Sequence, residues 1–227
     1  MKTIISVIML IMMTTLSYAN DIYVTQSGNA LDLDITQDGE NNTVGNSTTA
    51  SASTGATTIL NIDQIGNSNV ITYQINGATY TGVINLVGSS NNVDLNCDST
   101  GGNSSCGTAN AVINFTGSSN DIDLDIGQTS SANTADVDIV GQSGSDSNVV
   151  AATVDGNSAV LTITVNGDTN NYLIDIDGNG DSVGHTLIHS HTGGIADVDI
   201  IQSGTNDNMI TLTTSGDNAD IDISQTD

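Results

Sequence analysis

The chain has almost no positive charge. Its 227 residues contain one lysine or arginine, Lys2, against 26 aspartates and glutamates, and the formal net charge is -25. Proteins that bind DNA, RNA or anionic lipid neutralise phosphates with lysine and arginine. The composition therefore excludes nucleic acid as a partner.

Large aromatic residues are also scarce, because the chain has no tryptophan and a single phenylalanine, Phe115. A rounded core normally has aromatic rings at its centre, whereas a thin core between two close sheets can be filled by β-branched aliphatic residues. Proline is absent, and 24 glycines separate short runs of isoleucine, valine and leucine. This composition predicts many short strands around a thin aliphatic core.

The longest apolar run lies at the N-terminus and has the features of an export signal. Lys2 supplies a minimal positive region, 4–16 is apolar, and 17–19 places small residues where a signal peptidase cleaves. The run is too short to span a membrane, and no longer one follows it. We predict a signal peptide at 1–19, a secreted mature chain at 20–227, and no membrane insertion.

The chain has two cysteines, Cys97 and Cys106. Export brings both into an oxidising compartment, where a disulfide that closes the loop 98–105 is the simplest interpretation. A metal site is the alternative, and it is disfavoured because no histidine lies near the pair.

Glycines recur at a step of 11 residues, and a fixed short period indicates a repeat architecture. The step separates Gly28 from Gly39, Gly66 from Gly77, Gly77 from Gly88, Gly156 from Gly167, and Gly167 from Gly178. Each step holds an alternating strand and a polar turn. One strand-turn-strand segment occurs twice, as GVINLVGSSNNVDLN at 82–96 and AVINFTGSSNDIDLD at 111–125.

Stacking of these units predicts an all-β fold, a β-solenoid of about eight strand-turn-strand coils that form two stacked sheets, in one domain over 20–227. Insertions at 42–55, 96–108 and 179–194 are predicted loops on its flank. We predict strands at 31–37, 59–65, 69–75, 82–87, 109–116, 121–126, 135–142, 148–154, 159–165, 171–177, 196–202, 208–214 and 218–225, with weaker candidates at 22–26, 92–96 and 184–190.

Alternation assigns each residue of a strand to one face of the sheet. Apolar residues and several glutamines share the predicted inner face, where a glutamine amide is satisfied if identical residues stack about 4.8 Å apart. The predicted assembly ladder comprises Gln26, Gln37, Gln64, Gln142, Gln202 and Gln225. Elsewhere apolar residues take the equivalent place: Ile75, Leu86, Phe115, Val154, Val165 and Ile176. The predicted turn glycines are Gly28, Gly39, Gly66, Gly144 and Gly204, and Gly141 is a predicted bulge.

Aspartates occupy the outer face, and aspartates stacked about 4.8 Å apart would repel by roughly 1 kcal/mol in water. The predicted outward rows contain Asp32, Asp34, Asp123, Asp136, Asp138, Asp197, Asp199, Asp220 and Asp222. Salt, Ca²⁺ or lower pH would relieve this repulsion, and a solvated face that keeps the subunit soluble is the equal alternative. No cofactor is required. Candidate cation ligands are Asp197, Asp199, Asp220 and Asp222.

Other motifs give weaker signals of chemistry. The sequence from Asp175 to Gly180 matches half of a calcium-binding EF-hand loop, but Thr186 stands where the bidentate glutamate belongs, so a polar turn is favoured. His185, His189 and His191 would share one face of a strand and could bind zinc or copper, but a polar surface rim is favoured.

An enzymatic role is disfavoured. Secreted β-helix enzymes that cleave acidic polysaccharides are the enzymatic alternative, but such sites hold acidic sugars with lysine or arginine, which the mature chain lacks. No G-x-S-x-G motif indicates a nucleophilic serine. We predict that the protein is not an enzyme.

The run S/T-x-x-Q-x-G-x-x-N between alternating strands resembles the curlin repeat of bacterial curli fibres. It occurs at 37–42 and 64–69 and, with one more turn residue, at 142–148 and 202–208. The resemblance covers nearly the whole mature chain, less closely in its middle, where most ladder glutamines are replaced by apolar residues. It implies a β-solenoid subunit that polymerises into amyloid-like extracellular fibres of a biofilm matrix.

The resemblance also implies the partners: further copies of the chain, a nucleator subunit and outer-membrane secretion machinery. Independently, no polar cap is recognisable beside 22–24 or 220–225, and uncapped solenoid coils that join head to tail form filaments. We expect a secreted fibre subunit at the cell surface. A monomeric secreted adhesin or a cation- or glycan-binding module is the alternative.

Overall fold

The computed structural model describes residues 20–45, 48, 50–98, 106–127, 134–156, 158–178, 185–204 and 208–226, and the predicted signal peptide 1–19 lies outside this part. The described residues contain no helix long and apolar enough to cross a membrane. Their strands are β1 (Asp21–Ile22), β2 (Thr25–Ser27), β3 (Ala30–Asp38), β4 (Thr43–Val44), β5 (Ser51–Ile65), β6 (Val70–Val87), β7 (Asn92–Asp98), β8 (Thr108–Thr116), β9 (Asp121–Gly127), β10 (Thr134–Gly141), β11 (Val149–Gly156), β12 (Ser158–Asn166), β13 (Asn170–Gly178), β14 (Thr186–Thr192), β15 (Ala196–Ser203), β16 (Met209–Ser215) and β17 (Ala219–Thr226).

The fold is the predicted all-β solenoid. Its 17 strands pair in parallel, and each strand lies on the equivalent strand of the previous turn. The solenoid has about seven turns, close to the eight predicted. The most weakly indicated strand over 184–190 is present as β14, Thr186–Thr192.

Two walls form the solenoid, and each turn of the chain adds a strand to each wall. The first wall runs through β3, β5, β6, β8, β10, β12, β14 and β16. The second wall begins with the short strands β1, β2 and β4 and continues through β5, β6, β7, β9, β11, β13, β15 and β17. Contacts across the core join the walls, such as the rings of Tyr172 in β13 and His189 in β14.

Strands β5 and β6 contribute to both walls, which corrects the predicted strand boundaries. β6 unites the predicted strands 69–75 and 82–87, and β5 begins at Ser51, inside the insertion expected at 42–55. Gly55 and Gly77 stack at the shared corner, where a Cβ on Gly77 would lie 2.3 Å from the carbonyl oxygen of Gly55. Glycine therefore allows the backbone to turn this corner without a loop.

The core contains more aromatic rings than the composition suggested. Inward residues alternate with outward ones along each strand, and most inward residues are isoleucine, valine and leucine. However, Tyr73, Tyr80, Tyr172 and Phe115 are the largest fully buried side chains. The ring of Tyr80 lies beside Gly82, where a Cβ would be 2.6 Å from the tyrosine hydroxyl. A thin core thus accepts a ring where its neighbour has no side chain.

Gly141 accommodates Phe115 in the same way and is not the bulge predicted from the sequence. It pairs in register with Phe115 on one side and Val165 on the other. A Cβ at Gly141 would lie 2.7 Å from Cζ of Phe115 and 2.8 Å from Cγ1 of Val165. The missing side chain therefore provides the space that the phenylalanine ring occupies.

The predicted disulfide between Cys97 and Cys106 is present, with a Cα–Cα distance of 5.7 Å. Both cysteines are buried, Cys97 on β7 and Cys106 just before β8. The bridge joins consecutive strands of opposite walls. The intervening residues 99–105, which include most of the predicted loop, lie outside the described part.

We expect Gly141→Ala to lower the free energy of unfolding by about 1–3 kcal/mol, because the new Cβ overlaps the ring of Phe115. The same substitution in a Phe115→Leu background should cost at least about 0.5 kcal/mol less, since Cζ is then absent. Urea unfolding of the wild type, the two single variants and the double variant measures this coupling. Equal costs in both backgrounds would contradict the proposed fit.

Candidate functional site

Two short glutamine ladders lie inside the solenoid, one near each end. In the first wall, Nε2 of Gln64 donates to Oε1 of Gln37 at 2.8 Å, and both side chains are buried. In the second wall, Nε2 of Gln225 donates to Oε1 of Gln202 at 3.1 Å. Four of the six predicted ladder glutamines therefore stack as expected, in two separate pairs.

Gln26 and Gln142 do not join a ladder within the chain. Gln26 lies beside Ser53 of the next turn and donates to the carbonyl oxygen of Ala30 at 3.2 Å. Gln142 is exposed, which corrects its predicted inward position. Gly141 takes the inward place instead, and a one-residue shift along a strand moves a side chain to the other face.

Apolar residues fill the same inward columns between the two ladders. The residues predicted at these places are all buried, namely Ile75, Leu86, Phe115, Val154, Val165 and Ile176. The glutamine columns are therefore polar only toward the ends of the solenoid, and its central turns are held together at these positions by packing of aliphatic and aromatic side chains.

A longer ladder of asparagines, which was not among the predicted features, lies at one corner of the solenoid. It contains six buried side chains at successive turns: Asn42, Asn69, Asn91, Asn120, Asn148 and Asn170. The backbone N–H of each of the first five donates to Oδ1 of the next, at 2.8–3.2 Å. The column continues as Ala196 and Ala219.

Side-chain amides add further hydrogen bonds to the asparagine ladder. Nδ2 of Asn120 donates to Oδ1 of Asn148 at 3.0 Å and to the carbonyl oxygen of Gly117 at 2.8 Å. Asn91 and Asn148 donate in the same way to the next asparagine, at 2.9 and 3.0 Å. The ladder thus satisfies buried polar groups at a corner where the strand ladder is interrupted.

The signal for this ladder is the spacing Gly-x-x-Asn, which the repeat motif already contained. The residue before each ladder asparagine has a positive φ of 57–60°, and at Ser68, Ser90 and Ser119 this residue is a serine. The turn glycines stack as well, because a Cβ on Gly66 would lie 1.5 Å from the carbonyl oxygen of Gly39. All five predicted turn glycines, Gly28, Gly39, Gly66, Gly144 and Gly204, have positive φ.

Most of the predicted rows of outward aspartates are not present, because Asp32, Asp34, Asp136 and Asp138 pair with uncharged residues. Successive turns place an asparagine beside many of them, so that a side-chain amide donates to the carboxylate. Asn61 donates to Asp34 at 2.8 Å and Asn85 donates to Asp63 at 2.5 Å. Asp136 lies between Asn110 and Val160. In these columns, alternation of acidic and neutral residues reduces the repulsion expected from the composition, whereas Asp94 and Asp123 pair directly.

Stacked aspartates do occur at the C-terminal end. Asp197 pairs with Asp220, and Asp199 pairs with Asp222. These are the four candidate cation ligands, but the described residues contain no group of three or more histidines, cysteines or acids that could hold a metal ion. Asp175 and Asp177 lie in strand β13, as the strand predicted at 171–177 implies, and not in the polar turn favoured for this motif.

A groove of about 480 Å³ on the outer side of the second wall brings further carboxylates together. Asp94, Asp121 and Asp123 line it. Partial burial raises the pKa of Asp123, and the neighbouring charges of Asp125, Asp94 and Asp121 raise it further. The charged form of Asp123 is therefore disfavoured in the folded protein.

His185, His189 and His191 point into the core, which corrects their predicted place on a polar surface rim. Their exposed fractions are 2%, 1% and 2%. His189 and His191 occupy inward positions beside Ile163 and Val165 of the previous turn. The hydroxyl of Tyr172 lies 2.9 Å from Nδ1 of His191, and Nδ1 of His185 accepts a hydrogen bond from the backbone N–H of Ala159 at 3.1 Å.

At both ends of the solenoid, the described residues include no strand that covers the inward face. Every residue of β17 is exposed, including the inward-type residues Ile221 and Ile223, at 38% and 48%. At the other end, Ile22, Leu31 and Leu33 are only partly buried. These two faces are the candidate assembly surfaces.

Comparison with protein-family models, with curated proteins and with solved structures finds no match to this chain.

We expect Asn120→Ala to lower the free energy of unfolding by about 2–4 kcal/mol, because it removes the Oδ1 that accepts from both the backbone N–H and the side-chain amide of the buried Asn91. The matched control is Asn110→Ala on the exposed face, which should change stability by less than about 0.5 kcal/mol. Urea unfolding measures both values. Similar costs for the two variants would show that the ladder contributes no more than a surface asparagine.

Asp123→Asn should raise Tm at pH 7 by about 1–3 °C, because it removes a charge that the fold disfavours. Since the pKa of Asp123 is raised by folding, its ionisation destabilises the protein above that pKa, and the gain should vanish as the pH falls toward 3. Asp136→Asn is the control, because Asp136 has neutral partners on both neighbouring strands. Thermal melts at both pH values test this expectation, which fails if the two variants respond alike.

Proposed function

We propose that the protein is a secreted structural subunit that assembles head to tail into amyloid-like extracellular fibres, as its resemblance to the curlin repeat implies. In this role it contributes to surface adhesion or to a biofilm matrix and catalyses no reaction. Its main partner is a second copy of the same chain. A nucleator subunit and outer-membrane secretion machinery complete the system that the resemblance implies.

The observation that carries this proposal is the match between the two uncovered ends of the second wall. The inward residues of β17 are Ala219, Ile221, Ile223 and Gln225. At the first strands of this wall the same spacing of two gives Asn20, Ile22, Val24 and Gln26. If β17 pairs with these strands of a second copy, isoleucine meets isoleucine and glutamine meets glutamine. The ladder of Gln202 and Gln225 then gains a third rung.

The first wall matches in the same register. The column that contains Leu31 in the first turn contains Asn208 in the last, as the pairing through all intermediate strands defines. Leu33 therefore meets Ile210 of the preceding copy, and Ile35 meets Leu212. Placing a second copy on the first along the solenoid axis therefore aligns apolar residues in both walls at once. The contact continues the parallel strand pairing found within the chain.

Uncovered strands provide the driving force for this contact. An open sheet edge exposes unpaired N–H and C=O groups and apolar surface, and both are buried when another copy adds its strands. The two ends differ from one another, so the contact does not close into a ring and instead continues as a filament.

Charge opposes this contact only weakly. At the junction Asp220 meets Asp21, while Asp222 meets Tyr23. A single stacked pair of aspartates costs roughly 1 kcal/mol in water, and less when salt screens it. We propose that salt or Ca²⁺ accelerates assembly by reducing this repulsion and that of the net charge of -25.

Filaments of the purified protein should be visible by negative-stain electron microscopy and should diffract near 4.8 Å, the strand spacing. Ile223→Lys should reduce filament growth at least tenfold, because it places a charge in the contact between copies. Ile188→Lys is the matched control, since Ile188 is similarly exposed at 40% but lies on the side of the solenoid.

Growth should be followed with and without Ca²⁺, chelator and added salt. Monodisperse monomers under every condition would refute the fibre proposal and would favour the monomeric adhesin or binding module. Equal inhibition by the two lysine variants would place the contact elsewhere, and growth that ignores salt and chelator would refute the role of cations.

A further inference from the structure

The three histidines are the only basic side chains among the described residues, and they lie in the core of the C-terminal turns. At the inward positions of His189 and His191 the previous turn has Ile163 and Val165. Isoleucine and valine would continue the columns without any polar group. A basic side chain here is therefore not needed for packing.

His189 is the least satisfied of the three. Neither of its ring nitrogens has a hydrogen-bond partner among the described residues, and Nε2 of His191 has none. The ring of His189 packs edge-on against Tyr172, with ring centroids 4.4 Å apart. Burial and, to a smaller extent, the neighbouring His191 together lower the pKa of His189 to about 4.

The groups that face His189 offer no counter-charge. From the neighbouring strands of its own wall it meets Ile163 of β12 and Leu212 of β16. Across the core, β13 presents Tyr172, while the inward residues of β15 are Val198, Ile200 and Gln202. The nearest carboxylates act on the other two histidines: Asp168 on His191 and Asp177 on His185. A proton on His189 would therefore be an unpaired buried charge.

We propose that His189 and the adjoining His191 make the C-terminal end of the solenoid a pH-sensitive element that is closed near neutral pH and opens on mild acidification. Opening exposes the imidazoles to water, where they can bind protons. Since β14 pairs directly with β16, the opened segment includes β16 and β17, the surface on which the next copy would add. Opening would therefore slow the addition of further copies. This effect on filament growth rests on the proposed head-to-tail assembly, whereas the opening itself does not.

The direction of the effect follows from linkage. The pKa of His189 is about 4 when folded and about 6.5 when exposed, so the open form binds more protons between these values. Stability is complete above pH 6.5 and falls as the pH decreases. At pH 5.0 one histidine with these pKa values increases the opening equilibrium constant about 30-fold.

Hydrogen exchange of soluble monomer, measured by mass spectrometry at pH 7.5 and 5.0 and corrected for intrinsic rates, tests the opening. The amides of β14 to β17 should lose about 30-fold protection at pH 5.0, while those of β8 to β10 keep theirs. His189→Leu should remove most of this loss, since leucine matches the neighbouring Ile163 and Leu212. Ile163→Leu is the control and should retain the loss.

Titration of the histidine ring protons by NMR in the wild type gives a second measurement, which stays informative if a variant fails to fold. A His189 pKa below 5 is expected. A value near 6.5, or equal protection of β14 to β17 at both pH values, would overturn the proposal.

Seeded growth at the same two pH values separates this inference from the proposed function. Wild-type growth should slow at pH 5.0 relative to His189→Leu. If pH-dependent opening occurs but growth of both proteins responds equally to pH, the control of growth is refuted. If no filaments form at pH 7.5, the proposed function fails, and the exchange experiment still decides whether the pH-sensitive element exists.

Discussion

Parallel, in-register stacking is the constraint on which the rest of this structure depends. Because each strand lies on its equivalent in the previous turn, every inward residue belongs to a column, and a buried polar group must find its partner within that column. The asparagine ladder at the corner meets this requirement. From Asn69 onward, each Oδ1 accepts from the backbone N–H of the asparagine in the turn before it. One residue type thus links six successive turns by hydrogen bonds.

The same constraint acts on side-chain size and charge. Phe115 fits because the next residue in its column is Gly141, and the ring occupies the space of the missing side chain. On the outer surface, aspartates are tolerated because many of their column neighbours are asparagine or uncharged residues, so carboxylates often accept hydrogen bonds instead of facing one another. A strongly acidic chain can therefore stack closely. Aspartates recur at every second residue within a strand, but the residue stacked on each of them in the next turn is often uncharged.

Polarity inside the solenoid also changes along its axis. Glutamine pairs lie near both ends, aliphatic columns fill the centre, and the histidines are confined to the turns next to the C-terminal end. Apart from the asparagine ladder at the corner, the glutamine and histidine positions on the inward faces thus lie toward the ends of the solenoid. Buried amides favour one register over others, since a shifted partner would leave them unsatisfied. Glutamine pairs near the ends would therefore favour a single register if a second copy of the chain were to add there.

The local pattern of the sequence was sufficient to predict the all-β solenoid, the inner and outer faces of most strands, the disulfide and four stacked glutamines, because alternation and glycine spacing are properties of neighbouring residues. It could not reveal which residues share a column. That depends on the length of each turn, which varies between 22 and 29 residues along the asparagine ladder. The structure alone therefore decided that Gly141 lies inward and Gln142 outward, that aspartates alternate with asparagines, and that three histidines expected at the surface are buried in the core.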